Sequence, residues 1–249
     1  MYQTNQPLSP KETMPTMYDL PSEDPEEPGL PDEFHLLQPE LLRITFRPPA
    51  YSENNIFTAS DLNLYYDPLH PQWYKRPDWF GVLGVSRLYE QKELRLSYVN
   101  WQEGTNPFVA VELISPGTEA EDLGRNLREV NQPPNKWVVY EQILRIPYYF
   151  VFNRYTNELH CFGLMMNRYQ PLSIDGLGVW LEEAELGLGL WDGEYQGLKR
   201  LWLRWYDREN NWLPTPTERE KQRADSAELE IAKLRQLLLE QGVRLSDNQ

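Results

Sequence analysis

The chain has 249 residues and a formal net charge of −14, and 40% of its residues are hydrophobic and 13% aromatic. This apolar content is sufficient for a folded core and excludes a wholly disordered chain, while the acidic charge argues against a nucleic-acid coat protein. The single cysteine, Cys161, excludes an internal disulfide and fits a reducing compartment. No apolar run approaches the roughly 18 residues of a transmembrane helix, and the first residues lack a secretory signal, so we expect a cytoplasmic protein without membrane association.

The beginning of the chain is acidic and rich in proline. Residues 1–40 contain nine acidic residues and one basic residue, Lys11, and the first 31 of them have little apolar periodicity. This composition predicts an acidic, flexible arm over residues 1–31. From Asp32 onwards, Phe34 and Leu41 have helical spacing, which predicts a short helix with Asp32 as its N-cap.

Strand-like segments rich in aromatic and β-branched residues follow this helix. They span residues 56–58, 62–66, 79–85, 94–101 and 108–115. The turn at residues 104–107 separates the last two segments, and the run as a whole predicts a meander.

The next part of the chain alternates between helical and strand patterns. We predict a helix over residues 118–130 and a second one after Pro133-Pro134, with Lys136, Tyr140 and Ile143 on one face. Predicted strands follow at residues 148–153, 159–165 and 201–206. The fold class predicted from this order is α/β.

The last part of the chain, residues 214–249, has a different pattern. Apolar residues recur at spacings of three and four, with Gln241 at the one polar position of the seam: Ala224, Ala227, Ile231, Leu234, Leu238 and Leu245. This pattern fits a short coiled coil of about three heptads, and it fits equally an amphipathic helix packed on its own domain. The sequence leaves both interpretations open.

Most common catalytic constellations are missing from the sequence. The histidines are His35, His70 and His160, and His160 lies next to Cys161 in a predicted strand, so the two side chains point to opposite faces. The chain has no zinc-type Cys/His cluster, no P-loop and no Gly-x-Ser-x-Gly motif. Carboxylates and lysines remain as candidates.

Two carboxylates and one lysine stand out among these candidates. Asp78 opens a predicted strand, and Glu112 interrupts the apolar face of another, where an unpaired carboxylate would be costly. Lys136 begins the helix that follows, and packing of this helix on the strand would bring its ammonium to both carboxylates. Such a set suits metal-assisted phosphodiester hydrolysis. It fits equally a turn-opening aspartate and a structural ion pair.

The order of four segments is more specific than any single residue. The segments are Pro77-Asp78, FVAVELISPGT at 108–118, KWVVY at 136–140 and IPYYFVFN at 146–153. Together they resemble the putative restriction-endonuclease family of the PD-(D/E)XK nuclease superfamily, over roughly residues 32–213. The LGLGL segment at 186–190 and the residues around Trp205 and Asp207 also resemble this family.

The resemblance implies a restriction-endonuclease-like mixed sheet flanked by helices, followed by a C-terminal helix. It implies Mg²⁺, with Mn²⁺ as an alternative, held by Asp78, Glu112 and the carbonyl of Leu113, and it assigns the lysine role to Lys136. The superfamily pattern places its lysine at position 114, where this chain has Ile114. The first helix often adds an acidic residue, and the candidates for it are Glu33, Glu40 and Asp61.

Two functions follow from these observations. The first is a Mg²⁺-dependent DNA endonuclease, and the second is a catalytically inactive nuclease-fold module that assembles through its C-terminal helix. We expect DNA as the substrate and a homodimer as the assembly. Candidate DNA contacts, each of which also fits an ordinary surface or core role, are Lys75, Arg76, Lys199, Arg200 and Arg204, with Trp73, Tyr74 and Trp79 as candidate stacking residues.

Overall fold

The computed structural model describes residues 32–114, 119–125 and 132–240, without the side chains of Leu238 and Leu239. The predicted acidic arm at residues 1–31 and the end of the predicted coiled-coil seam, Gln241 and Leu245, lie outside these residues. The predicted domain boundaries at residues 32 and 214 stay a prediction.

Five helices and twelve strands make up the described part of the chain. The helices are α1 (Phe34–Thr45), α2 (Asn100–Glu103), α3 (Glu119–Asp122), α4 (Lys136–Val138) and α5 (Pro216–Glu240), and α4 continues as a π-helical turn over Val139–Ile143. The strands are β1 (Ile56–Ala59), β2 (Leu64–Tyr65), β3 (Tyr74–Lys75), β4 (Trp79–Leu83), β5 (Tyr98–Val99), β6 (Val109–Leu113), β7 (Tyr148–Asn153), β8 (Glu158–Met165), β9 (Arg168–Pro171), β10 (Gly178–Leu181), β11 (Leu186–Tyr195) and β12 (Leu198–Tyr206).

The main sheet has six strands in the order β1-β4-β6-β7-β8-β9. Strands β6 and β7 are parallel, and the other neighbouring pairs of this sheet are antiparallel. Two smaller sheets have the orders β10-β11-β12 and β3-β2-β5. The α/β class with a mixed sheet flanked by helices is therefore confirmed. The predicted meander over residues 56–115 is wrong, because β2, β3 and β5 form a separate sheet in which β2 and β5 are parallel, and β1 pairs with β4 instead of with β2.

Both faces of the main sheet are buried. On one face, helix α1 and strands β11 and β12 cover the sheet, and the aromatic residues Trp79, Trp202 and Trp205 are fully buried there. On the other face, the sheet packs against α4 and its π-helical turn, with Tyr140 and Tyr149 fully buried. Burial of an aromatic side chain removes about 150–250 Å² from water, so these residues dominate the core. All five residues of β6 are buried, because the strand lies between two covered faces.

Helix α1 confirms the predicted short helix. Its N-cap position is Glu33, one residue after the predicted Asp32, but the Asp32 carboxylate accepts a hydrogen bond from the backbone amide of His35 at 3.1 Å, as a capping side chain does. The helix extends to Thr45 and tolerates Pro39 within it. Its buried face contacts β12, where the Gln38 side chain bonds the backbone of Leu203 in both directions.

The segment at residues 94–101 was predicted as a strand and is largely not one. Only Tyr98–Val99 pairs with a neighbouring strand, and the chain turns directly into α2. Leu94 and Leu96 are exposed, so the apolar alternation that suggested a strand does not reflect a buried face. Strands β3, β9, β10 and β11 are not among the predicted strands.

The predicted face of Lys136, Tyr140 and Ile143 is only partly correct. Leu144 donates its amide to the carbonyl of Val139, five residues earlier, so the last turn is π-helical. Because a π-helical turn contains one more residue than an α-helical turn, the side chain that points into the core comes one residue later in the sequence. As a result Leu144 is fully buried, whereas Ile143 is exposed.

Helix α5 excludes one of the two interpretations of the C-terminal pattern for the described residues, and the coiled coil stays a prediction. Its apolar side chains, including Leu229, Ile231, Leu234 and Leu237, are exposed. The helix is held at its first turn, where Glu218 pairs with Arg204 and accepts the amide of Thr215. It is therefore not an amphipathic helix packed along its own domain. None of the described helices is long and apolar enough to cross a membrane.

The LGLGL segment forms the first half of β11. A Cβ atom at Gly187 would lie 1.9 Å from the ring of Tyr206, and one at Gly189 would lie 2.0 Å from the carbonyl oxygen of Leu177. Both positions need glycine because the facing side chain and backbone approach so closely. The segment is therefore explained by packing.

Candidate active site

Strand pairing brings Asp78 and Glu112 together. Trp79 of β4 lies opposite Val111 of the antiparallel strand β6, so the residue before Trp79 lies beside the residue after Val111. The amide of Leu113 donates a hydrogen bond of 2.6 Å to Asp78 Oδ2, and the amide of Asp78 donates one of 3.3 Å to Glu112 Oε2. The backbone next to Glu112 therefore holds the carboxylate of Asp78, and the backbone of Asp78 holds the carboxylate of Glu112.

Glu112 is fully buried and makes its remaining contacts to α4 and the π-helical turn. The ammonium of Lys136 donates to Glu112 Oε2 at 2.9 Å, and the hydroxyl of Tyr140 donates to Oε1 at 2.8 Å. The spacing of four residues places both donors on the face that packs against β6. The structure therefore brings the three predicted site residues, Asp78, Glu112 and Lys136, into one cluster.

A fourth charged residue, Asp122, joins this cluster and was not predicted. It is buried on α3, and its Oδ1 accepts a hydrogen bond of 2.9 Å from the Lys136 ammonium. Its Oδ2 is buried without a hydrogen-bond partner among the described residues. In the sequence, Asp122 is one of several acidic residues at 119–122, and no periodicity distinguishes it from Glu119 or Glu121. The only available signal was its place between the Glu112 strand and Lys136.

The cluster has three carboxylates around one ammonium. Burial raises the pKa of Glu112 well above its usual value, and the nearby charges of Asp78 and Asp122 add to this effect against the opposing charge of Lys136. Burial likewise raises the pKa of Asp78. For Lys136 burial acts to lower the pKa, but the surrounding carboxylates outweigh it and the pKa is raised well above the usual value. The lysine is therefore held as a cation, while burial favours the protonated forms of Glu112 and Asp78 unless a further cation offsets their charge.

Helix α1 contributes His35 rather than a carboxylate to this region. Its Nδ1 lies 2.9 Å from Asp32 Oδ1, and its Nε2 lies 3.1 Å from the carbonyl oxygen of Leu113. Both partners are acceptors, so two hydrogen bonds require a doubly protonated ring. The pKa agrees: burial alone would lower it, but the bonds to Asp32 and Leu113 and the charge of Asp78 raise it.

The acidic candidates that were expected to complete the site lie elsewhere. Glu33 is exposed, Glu40 lies 3.9 Å from Arg43, and Asp61 pairs with Arg76 at 3.1 Å. None of these contacts involves Asp78 or Glu112. The carbonyl of Leu113, which the resemblance assigned to a metal, accepts the hydrogen bond from His35.

The candidate DNA contacts fall into a buried group and an exposed group. Lys75 is buried and pairs with Glu121 at 3.3 Å, and Arg204 is buried and pairs with Glu218. Trp79 is fully buried in the core. Three of these candidates are therefore structural. Partly or fully exposed candidates remain: Arg76, Lys199, Arg200, Trp73 and Tyr74.

The donor chemistry of the cluster fits a hard divalent cation. Its three carboxylates outnumber its one ammonium, and Asp122 has a buried oxygen without a partner among the described residues. Carboxylate and carbonyl oxygens are the ligands that Mg²⁺ prefers. However, no three His, Cys, Asp or Glu side chains within the described ranges are grouped so as to hold a metal ion. The set therefore fits Mg²⁺ bound through one or two carboxylates, with water and substrate oxygens completing its shell.

Comparison with known proteins gives one family. A family model described as "Putative restriction endonuclease" matches residues 8–199. No curated protein matches the sequence. A crystal structure described as a putative nuclease belonging to DUF820, from Anabaena variabilis ATCC 29413, has 12% sequence identity and a TM-score of 0.42, and the match covers 61% of this chain and 74% of that chain. A likeness at this TM-score is too weak to support an argument about this chain, whereas the family match confirms the resemblance found in the sequence.

Proposed function

Because the chain belongs to the putative restriction endonuclease family, we propose that it is a metal-dependent endonuclease that hydrolyses phosphodiester bonds of DNA. The observation that supports this best is the buried Glu112, which lies beside Asp78 and receives the ammonium of Lys136 at 2.9 Å. A purely structural ion pair would need one carboxylate for this lysine. Here three carboxylates, Asp78, Glu112 and Asp122, surround it.

Asp78 and Glu112 would hold the divalent cation, with the carbonyl of Leu113 as a further oxygen ligand. A cation bound there supplies a water of lowered pKa and neutralises charge on the phosphate. Burial, together with the charges of Asp78 and Asp122 and against that of Lys136, raises the pKa of Glu112, and a bound cation would offset the cost of holding this carboxylate ionised.

The residues of the chain have separate tasks in this proposal. Lys136 stabilises the negative charge that develops on the phosphate oxygens, and its raised pKa keeps it protonated. Tyr140 fixes Glu112 by donating to its second oxygen. Asp122 fixes the ammonium of Lys136. His35 fixes the peptide of Leu113, whose amide is bonded to Asp78.

Calorimetric titration of Mn²⁺ tests the metal site. We expect the wild type to bind Mn²⁺ and Glu112→Gln to lose this binding, because the amide carries no charge. The matched control is Glu141→Gln, since Glu141 is also buried but bonds to Arg168 and the amide of Tyr169. This control should bind like the wild type. Equal binding by the wild type and Glu112→Gln would contradict the assignment of Glu112 as a ligand.

Asp122→Asn tests the role of the residue that the sequence did not reveal. Loss of the charge would free the ammonium of Lys136 to reorient, so we expect the kcat for DNA cleavage to fall by about 10–100-fold, as for other residues that position a catalytic group, with KM little changed. Steady-state kinetics on a plasmid or duplex substrate would measure both. Glu119→Gln is the control, because Glu119 lies on the same short helix and pairs with Arg125 at the surface. An unchanged kcat in Asp122→Asn would exclude a positioning role.

The exposed helix α5 favours a second candidate function, a module that assembles through this helix. Residues Ile231 and Leu234 share one face and are exposed, and a partner helix in a coiled coil would bury them. A homodimer made in this way is compatible with a nuclease and with an inactive module. The cytoplasmic location of the protein likewise stays a prediction.

Sedimentation of a truncated chain tests this assembly. Removal of residues 222–249 keeps Glu218 and its contacts to Arg204 and Thr215, so the domain should remain folded. We expect the mass to change from a dimer to a monomer, and Ile231→Asp combined with Leu234→Asp should have the same effect. Lys221→Asp is the control outside the seam. A full-length chain that sediments as a monomer would contradict the assembly.

A further inference from the structure

Two arginines from different sheets converge on one aromatic ring. The guanidinium of Arg154, directly after β7, lies 5.3 Å from the ring centre of Phe34, and that of Arg200 on β12 lies 4.3 Å from it. Arg200 also donates to the carbonyl oxygen of Arg154 at 3.1 Å. Both residues are partly exposed. We call Arg154 and Arg200 the arginine pair.

The arginine pair lies at the same edge of the main sheet as the candidate active site. Strands β6 and β7 are parallel, with Leu113 opposite Phe152, so Arg154 follows the end of β7 that adjoins Glu112. A continuous line of contacts also joins the two places. Arg154 pairs with Asp32, Asp32 bonds His35, and His35 bonds the carbonyl oxygen of Leu113.

The charge balance of the arginine pair is positive in an otherwise acidic protein. The two guanidinium groups face one carboxylate, Asp32, which pairs with Arg154 and acts on Arg200 through its charge. Burial, and then the charge of Arg154, lower the pKa of Arg200, so the like charges are close enough to oppose each other. An anion between them would relieve this repulsion.

The arginine pair also retains hydrogen-bond donors. Among the described residues, its contacts to oxygen atoms use Nη2 of Arg154, and Nε and Nη2 of Arg200. The Nε of Arg154 is buried and has no partner among the described residues. A guanidinium carries five donors in a fork that matches a phosphate, so capacity for an anion remains.

We propose that Arg154 and Arg200 bind a backbone phosphate of the nucleic acid next to the phosphate that is cleaved. The inference rests on the proposed function, since it assigns the neighbouring phosphate of the same substrate. It accounts for how a chain with a net charge of −14 holds a polyanion: negative charge is gathered where a cation binds, and positive charge beside it where phosphate binds.

The test measures binding separately from cleavage. A fluorescein-labelled DNA duplex is titrated, in the presence of Mg²⁺, with Asp78→Asn protein, which should not cleave it, and binding is followed by anisotropy. Adding Arg200→Gln should weaken binding by about 10-fold or more, because one charge-assisted phosphate contact is lost, and should reduce the slope of log K against log salt by about one. Arg200→Lys, which keeps the charge but not the fork, should give an intermediate loss.

Arg145→Gln is the matched control. Arg145 is exposed and precedes β7, so it lies at the opposite end of this strand from Arg154. Unchanged binding in this control, with loss in Arg200→Gln at an unchanged melting temperature, supports the proposal. Equal effects of the two substitutions would overturn it and leave the endonuclease proposal intact. A wild-type chain that neither binds nor cleaves DNA would overturn the proposed function itself.

Discussion

Asp78→Asn and Glu112→Gln are each expected to reduce DNA cleavage by about 10²–10³-fold, the order of magnitude lost when one group of a preorganised electrostatic site is removed. Each substitution removes one negative charge from the pair of carboxylates proposed to hold the cation. Both variants should nevertheless fold. In Glu112→Gln the amide oxygen can accept from Lys136, and the amide nitrogen can donate to the hydroxyl of Tyr140, which then acts as an acceptor.

Cleavage of a supercoiled plasmid in Mg²⁺ measures the loss, and circular dichroism with thermal melting measures folding. Glu141→Gln again serves as the buried control and should retain activity. Cleavage at the wild-type rate by both Asp78→Asn and Glu112→Gln would remove these residues from the mechanism. If a variant loses both cleavage and the folded state, Tyr140→Phe is measured as well. This substitution leaves both carboxylates in place and removes only the hydrogen bond from the hydroxyl to Glu112.

Lys136→Met is expected to destabilise the fold by about 3–5 kcal/mol at pH 8, the range found when a buried ion pair loses one partner. The substitution leaves Glu112 and Asp122 buried without their cation, while methionine keeps most of the apolar length of the side chain. Urea denaturation measures the free energy of unfolding. Lys92→Met is the control, because Lys92 is exposed in a charged turn, and it should change this free energy by less than about 0.5 kcal/mol.

The destabilisation should depend on pH in a definite direction. The pKa of Glu112 is raised in the folded protein, so above the usual glutamate value of 4.5 the folded state binds more protons than the unfolded chain. The free energy of unfolding therefore falls as the pH rises through this range. The charge of Lys136 opposes the rise in the pKa of Glu112, and Lys136→Met removes this charge. The free energy of unfolding of the variant should therefore be closest to that of the wild type near pH 5. If the difference in the free energy of unfolding between the wild type and Lys136→Met did not change with pH, repulsion between carboxylates would not be the cause of the destabilisation.

Local patterns were sufficient for the elements that carry the predicted site. The apolar alternation around Glu112 indicated a buried strand, and an unpaired carboxylate on it required a cation. The four-residue spacing of Lys136 and Tyr140 placed two donors on one helical face, and both contact Glu112. These relations span a few residues, where periodicity fixes direction. The continuation of the face to Ile143 was wrong because a π-helical turn changes the period.

Residues that act through distant contacts were not found in the same way. Asp122 is distinguished from its acidic neighbours only by burial against Lys136, 14 residues away. His35 contacts Leu113 across 78 residues of sequence, and three acidic residues were proposed in its place. The order of the main sheet was missed for the same reason, since a parallel pair such as β6–β7 leaves no turn signal between its strands.

The sequence by itself determined the family, the α/β class, the buried carboxylate Glu112 and its lysine, because these depend on composition, periodicity and segment order. Only the tertiary structure decided how charge is distributed around them. The surplus of carboxylates at Asp122, the imidazolium of His35 and the arginine pair arise where separate strands and helices end at one edge of the sheet. Burial there removes the solvent that would otherwise screen each charge, so the same residue types become either a site or an ordinary surface according to what packs beside them.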